Sequence, residues 1–185
     1  MSNLEEDDLI LHKKAFMFGS ILPDCMPSFL TRKHNIEETF SILEKELYKV
    51  TEKFDIEKGI NTYFCRHLGV ITHYIADYFT FPHNAEFTGT LREHCNYEEE
   101  LKHTFRAYVN SEEAKRFRNE NKTFQTVEEI CEFIKRMHEC YLQTVRAVKA
   151  DCRYIVELCY RVAEAILQIL EFRSEEKQIQ PLLQG

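Results

Sequence analysis

Two pairs of residues in the middle of the chain have the types and spacing of metal ligands. In "GVITHYIADYFTFPHNAEF", residues 69–87, His73 is followed four positions later by Asp77, and His83 comes six after that. "LREHCNYEEELKH" then supplies His94 and Glu98, again four apart. Residues four apart on an α-helix share a face, with Cβ atoms about 5–6 Å apart, so each pair can offer an imidazole nitrogen and a carboxylate oxygen to one ion with little loop ordering. His83 follows Pro82 on the segment joining the pairs, where it can complete either site. Imidazole with carboxylate suits zinc. A single His-x3-Asp pair is ordinary on a solvated helix face. Two pairs flanking a loop histidine, amid Tyr74, Ile75, Phe79 and Phe81, describe a buried polar cluster, and buried imidazoles and carboxylates need partners.

For these pairs to converge, their segments must be helices, and the chain reads as helical nearly throughout. Glycine occurs only at 19, 59, 69, 89 and 185 and proline only at 23, 27, 82 and 181, so residues 90–180 hold neither strong helix breaker. "TVEEICEFIKRMHECYLQTVRAV" starts with Thr126 and has Glu129 three residues later, a capping-box pattern. Ile130, Phe133, Ile134, Met137, Tyr141, Val145 and Val148 then recur at helical spacing. "DCRYIVELCYRVAEAILQILEF" repeats the pattern through Ile155, Leu158, Cys159, Val162, Ile166, Ile169 and Leu170. Earlier helices are expected at about 4–20, 36–54, 59–79 and 91–109, with "PDCMPSFLTRKHN" and "TFPHNAEFTGT" as the main loops. "EFRSEEKQIQPLLQG" reads as a frayed tail, most of it beyond residue 175. With no repeat and no linker, the expectation is a single all-α domain over residues 1–185, a multi-helix bundle with its ligand region at about 10–105 and C-terminal helices at about 110–175.

Bulk properties fit this reading. A chain of 185 residues, 44% hydrophobic and 30% charged, is large enough to bury its own core. The net charge of −7 and scattered basic residues argue against a duplex nucleic acid partner, which needs clustered Lys and Arg. The four acids at residues 5–8 are unlike a secretory leader, and no segment offers about eighteen uninterrupted apolar residues. The expected location is therefore cytoplasmic, with secretion open if a leader has been removed. Seven cysteines, at 25, 65, 95, 131, 140, 152 and 159, form no CxxC pair and read as reduced thiols serving as small apolar side chains. Cys95 adjoins His94 but points about 100° away on a helix.

Taken in order, His73-x3-Asp77-x5-His83-x10-His94-x3-Glu98, preceded by "GSILPD" with Asp24 and then by His34, resembles the zinc-dependent bacterial phospholipase C family over about residues 10–105. Members of that family are all-helical hydrolases with a cluster of three zinc ions. The resemblance implies that Asp24, His34, His73 and Asp77 hold one zinc and that His83, His94 and Glu98 hold a second. It further implies that Asp77 bridges to a third ion, also bound by His12, giving two to three zinc ions. Asp24 would orient or deprotonate the attacking water. In the family the other ligands of the third ion come from the amine and carbonyl of a processed N-terminus. This sequence, beginning Met1-Ser2, departs from the pattern there, and Ser2 would have to reach the ion.

The resemblance implies a phosphodiesterase that cleaves a phospholipid at the glycerol–phosphate ester. Transient membrane-surface contact could come from Met26, Phe29 and Leu30 in "CMPSFL", although core packing explains those residues equally well. Arg66, seven residues before His73, shares the ligand face and is a candidate contact for a substrate phosphate. His67, His103 and His138 read as surface or satisfied core histidines. Two alternatives stay open. Related single-strand zinc nucleases usually end the ligand set with Asp after a longer insertion, whereas Glu98 and the x10 spacer resemble the phospholipase side. The other alternative is a metal-binding scaffold without turnover.

Overall fold

The computed structural model describes residues 12–25, 34–116, 123–144 and 146–183. The expected loop residues Met26, Phe29 and Leu30, the Met1-Ser2 terminus and Val145 lie outside these. Among the described residues the chain forms seven α-helices and no strand: α1 (Lys13–Cys25), α2 (Ile36–Val50), α3 (Thr62–Tyr78), α4 (Leu91–Tyr108), α5 (Glu112–Arg116), α6 (Val127–Leu142) and α7 (Val148–Leu183). Short 3-10 turns occupy Ile56–Lys58 and Phe81–His83. No described helix is long and apolar enough to cross a membrane.

Side-chain caps fix the helix starts that matter for the site. Asn35 Oδ1 accepts from the Glu38 amide at 2.9 Å and starts α2 directly after His34. Asn61 Oδ1 accepts from the Phe64 amide at 3.1 Å and starts α3. Thr90 and Glu93 form a reciprocal capping box at the head of α4. At α6, Thr126 accepts from the Glu129 amide as expected, but the Glu129 carboxylate reaches the Gln125 amide, one residue earlier than a capping box requires.

The centre of the bundle is α3, whose buried Phe64, Cys65, Leu68, Val70, Ile71, Tyr74, Ile75 and Tyr78 face neighbours on every side. A helix apolar around most of its circumference must be enclosed, and α1, α2 and α7 enclose this one. α1 runs parallel to α3, with Ser20 and Asp24 beside His73 and His12 beside Thr62. The two helices meet at glycines. A Cβ on Gly19 would stand 1.9 Å from the Arg66 carbonyl oxygen, and one on Gly69 would stand 2.3 Å from that of Phe16.

Two boundaries differ from the expectation. α1 continues past residue 20 to Cys25 and takes Pro23 into its last turn, so Ser20 and Asp24 share one face. The frayed tail is instead the end of α7, which stays helical through Leu183. Nothing breaks the helix before Pro181, and Arg173 donates to the Thr51 and Phe54 carbonyls while Lys177 pairs with Glu57 at 3.6 Å. All seven cysteines are free, and burial pushes the Cys131 thiol up to about 12 and the Cys152 thiol up to about 11.

Candidate metal centre

The first ligand group forms where α1, the residue before the α2 N-cap, and α3 meet. Asp77 Oδ2 lies 3.0 Å from His73 Nε2 and 3.1 Å from His34 Nδ1, and those two nitrogens are 3.4 Å apart. Asp24 Oδ1 lies 3.5 Å from His34 Nδ1 and 3.7 Å from His73 Nε2. Atoms about 2.0–2.1 Å from a tetrahedral zinc stand about 3.3 Å from one another, the middle of this range. Asp24, His34 and His73 each offer a ligand atom within reach of one divalent cation, and Asp77 contacts both of the imidazoles. The ring of His73 is oriented from behind, because its Nδ1–H donates to the Ser20 carbonyl at 2.9 Å and leaves Nε2 facing the carboxylates.

The second group joins the Phe81–His83 turn to α4. His83 Nε2 and His94 Nε2 lie 3.2 Å and 2.9 Å from Glu98 Oε1, with ring centroids 5.0 Å apart. Three protein ligands leave a fourth position of a tetrahedral ion open, as in hydrolytic zinc sites. The structure thus brings Asp24, His34 and His73 together in one group, with Asp77 against both of its imidazoles, and His83, His94 and Glu98 in another.

The charge states suit a cation. Burial would raise the Asp77 carboxyl, but hydrogen bonds from His34 and His73 and the positive charge of His73 and His83 hold it at about 2. Hydrogen bonds from His83 and His94 likewise keep Glu98 below the ordinary carboxylate value, against its partial burial. Burial disfavours charge on His73 and His83, yet Asp77 and Glu98 outweigh it and raise both imidazoles. Protons and a metal ion would therefore compete for the same nitrogens.

His12 and Arg66 are placed elsewhere. His12 Nδ1 is 3.2 Å from the Thr62 hydroxyl, at the first residue of α3, whereas Asp77 is near its last. Fifteen residues of helix separate these ends by roughly 22 Å, so His12 and Asp77 cannot share a third ion in this arrangement. The Arg66 guanidinium donates to His67 Nε2 at 3.3 Å and lies over the Tyr63 ring, and the structure does not bring it to the ligand groups. His67 is a satisfied core histidine bonded to Glu46, and His103 pairs with Glu99 on the surface.

Two cavities flank the ligands, and His83 lines both. One, of about 350 Å³, runs from Asp77, His83 and Glu98 along an apolar wall of Ala76, Leu101, Phe105 and Ile155, with Lys102 and Arg106 among its lining. The other, of about 440 Å³, lies on the side of His34, His83 and His94 and includes the polar Asn35 and Asn84. Sequence reasoning missed Lys102 and Arg106, whose i, i+4 spacing on α4 was a usable signal. It also missed the Ser20 carbonyl and the Gly19–Gly69 contact, which no local pattern marks.

A family model described as zinc dependent phospholipase C matches residues 1–148 of the chain. No curated protein and no solved structure matches it.

Proposed function

The chain belongs to the zinc-dependent phospholipase C family, and on that footing we propose that it is a phosphodiesterase cleaving a phospholipid at the glycerol–phosphate ester, with two zinc ions. The observation that carries this reading is the convergence of both ligand groups on one apolar-walled cavity, which Asp77 enters from the first group and His83 and Glu98 from the second. The placement of His12 beside Thr62 supports two ions over three.

Zinc held by these residues would lower the pKa of a water from 15.7 to about 7 and draw charge from the phosphoryl oxygens. Asp24 has the geometry of the proton acceptor. Its Oδ1 faces His34 and His73, its side chain is 63% exposed, and its Oδ2 is available to take the proton of the attacking water. The Ser20 carbonyl keeps His73 in the tautomer whose Nε2 would be free to hold the ion. The apolar wall of Leu101, Phe105 and Ile155 suits the acylglycerol part, and the polar cavity beside Asn35 and Asn84 suits the headgroup. Water adds to phosphorus, the glycerol oxygen leaves with a proton, and the products are a diacylglycerol and a phosphorylated headgroup.

The test is zinc content by elemental analysis on untagged protein, with release of phosphocholine from short-chain phosphatidylcholine. Two zinc ions and lipid turnover are expected, with both reduced in Asp77→Asn. Cleavage of single-stranded DNA without lipid turnover would transfer the assignment to a nuclease. Zinc without either activity would leave a scaffold, and fewer than two ions after zinc supplementation would overturn the dinuclear reading.

A further inference from the structure

The second ligand group draws on two separate elements, so its geometry depends on whatever holds the Phe81–His83 turn against α4. That link comes from α7, which supplies no ligand. Asp151 is 1% exposed, and its carboxylate accepts three hydrogen bonds. Oδ2 accepts from the Phe81 amide at 2.9 Å and from the Tyr97 hydroxyl at 2.8 Å, while Oδ1 accepts from the Tyr141 hydroxyl at 2.9 Å. Phe81 opens the turn that ends in His83, and Tyr97 immediately precedes Glu98. One oxygen atom is therefore bonded to both elements that carry the second ligand group.

The far end of the turn is held as well. Asn84 donates to the Tyr78 and Thr80 carbonyls at 3.2 Å and 2.9 Å, and its Oδ1 accepts from His138 Nε2 at 2.7 Å. His138 and Asn84 are both buried. α6 and α7 thus grip the His83 turn from either side. All three donors to Asp151 are neutral, and burial raises its carboxyl despite them. A buried carboxylate satisfied by neutral donors is a costly way to fill space, since an apolar side chain of similar volume packs as well or better. The feature an apolar side chain cannot supply is an acceptor shared between Phe81 and Tyr97.

We propose that Asp151 is a positioning residue for the second metal site, a tether between the His83 turn and α4 that sets His83 and Glu98 at ligand spacing. It lies beyond the stretch matched by the family model, on a helix with no ligand. Asp151 touches neither ligand directly and acts through the neighbouring Phe81 and Tyr97; loss of groups bonded directly to metal ligands changes affinity by about 10–100-fold, which sets the upper scale for such a tether. The inference rests on metal binding by His83, His94 and Glu98, and its test separates the two.

Full-length metal-free protein is titrated with cobalt(II) and followed by visible absorption, with His94→Ala identifying the phase of the second site. Asp151→Ala is expected to weaken that phase by up to about 10–100-fold and leave the first unchanged. Tyr97→Phe should act in the same direction but less, and Tyr141→Phe, which leaves Oδ2 untouched, should not move it. In metal-free protein, Asp151→Ala should also speed hydrogen exchange of the Phe81 amide relative to core amides. Ile166→Val, remote in the core, controls for lost stability alone. If Asp151→Ala does not fold, Tyr97→Phe carries the test. Equal weakening of both phases, or of neither, overturns the tether. Absence of the second phase in the wild type overturns the metal assignment and the tether together.

Discussion

Replacing Gly69 by alanine sets two expectations of opposite sign against each other. In an isolated helix the change stabilises by about 1 kcal/mol, because alanine is the better helix former. In this fold the added Cβ would stand 2.3 Å from the Phe16 carbonyl oxygen and 2.7 Å from the Ser20 nitrogen, where ordinary contact begins at 3.4 Å. Both neighbours are backbone of α1, so relief requires the helices to part by about 1.1 Å. Overpacking of this kind costs about 1–3 kcal/mol or more, enough to reverse the propensity gain. The separation would lengthen the 2.9 Å bond from His73 Nδ1 to the Ser20 carbonyl to about 4.0 Å, and it would draw Asp24, already 3.7 Å from His73 Nε2, out of the first ligand group. Gly69→Ala is therefore expected to lower Tm by a few degrees, at about 2–4 °C per kcal/mol for a chain of this size, and to weaken zinc binding at the first group by about 10–100-fold. Thermal unfolding of the metal-free protein and competitive zinc titration read the two effects separately. A variant with higher Tm and undiminished zinc affinity would refute the close crossing of α1 and α3 and the role assigned to it.

Further outcomes follow from other residues. His12→Ala should leave zinc content at two per chain by elemental analysis, since His12 faces Thr62; loss of an ion would restore the shared third site. Glu46 is buried, which pushes its carboxyl up, but hydrogen bonds from His67 and Lys49 prevail and hold it below the ordinary carboxylate value. A lowered folded-state pKa contributes stability above the unfolded value and loses it as pH falls through the folded one. Glu46→Gln should therefore cost about 3 kcal/mol near pH 7, with the gap to wild type narrowing below about pH 4.5 in urea unfolding; a constant gap would dismiss the ion pair. Lys102→Ala with Arg106→Ala should raise KM for a short-chain phospholipid about two- to fivefold with little change in kcat, the scale of exposed charge contacts, and an unchanged KM would remove that cavity from the substrate path.

The parts of this molecule legible in the sequence are those encoded locally. His73 with Asp77, and His94 with Glu98, declare themselves because a four-residue interval fixes a shared helix face wherever the helix is packed. Thr126, with Glu129 three residues on, marks a helix start by an equally local signal. Asp24 and His34 carried no such signal and were reached through resemblance alone. Spacing along the chain says nothing about direction, and the parallel course of α1 on α3 puts His12 beside Thr62, at the end opposite Asp77. Asp151 and His138 were invisible as positioning groups, since their partners Phe81 and Asn84 lie 70 and 54 positions away. The helical end of α7 read as a tail because its composition is polar, and its latch onto residues 51–57 appears only in three dimensions.

The shared position of His83 between an apolar and a polar cavity bears on how a reaction would finish. Two fragments of opposite solubility, cut apart at a common wall, would have separate exits, and neither would need to wait for the other. A soluble phosphomonoester and a short-chain diglyceride would then occupy the protein simultaneously, each competing with intact substrate but not with its companion. Paired-inhibitor kinetics would give intersecting lines for such a passage and parallel lines for a single blind pocket.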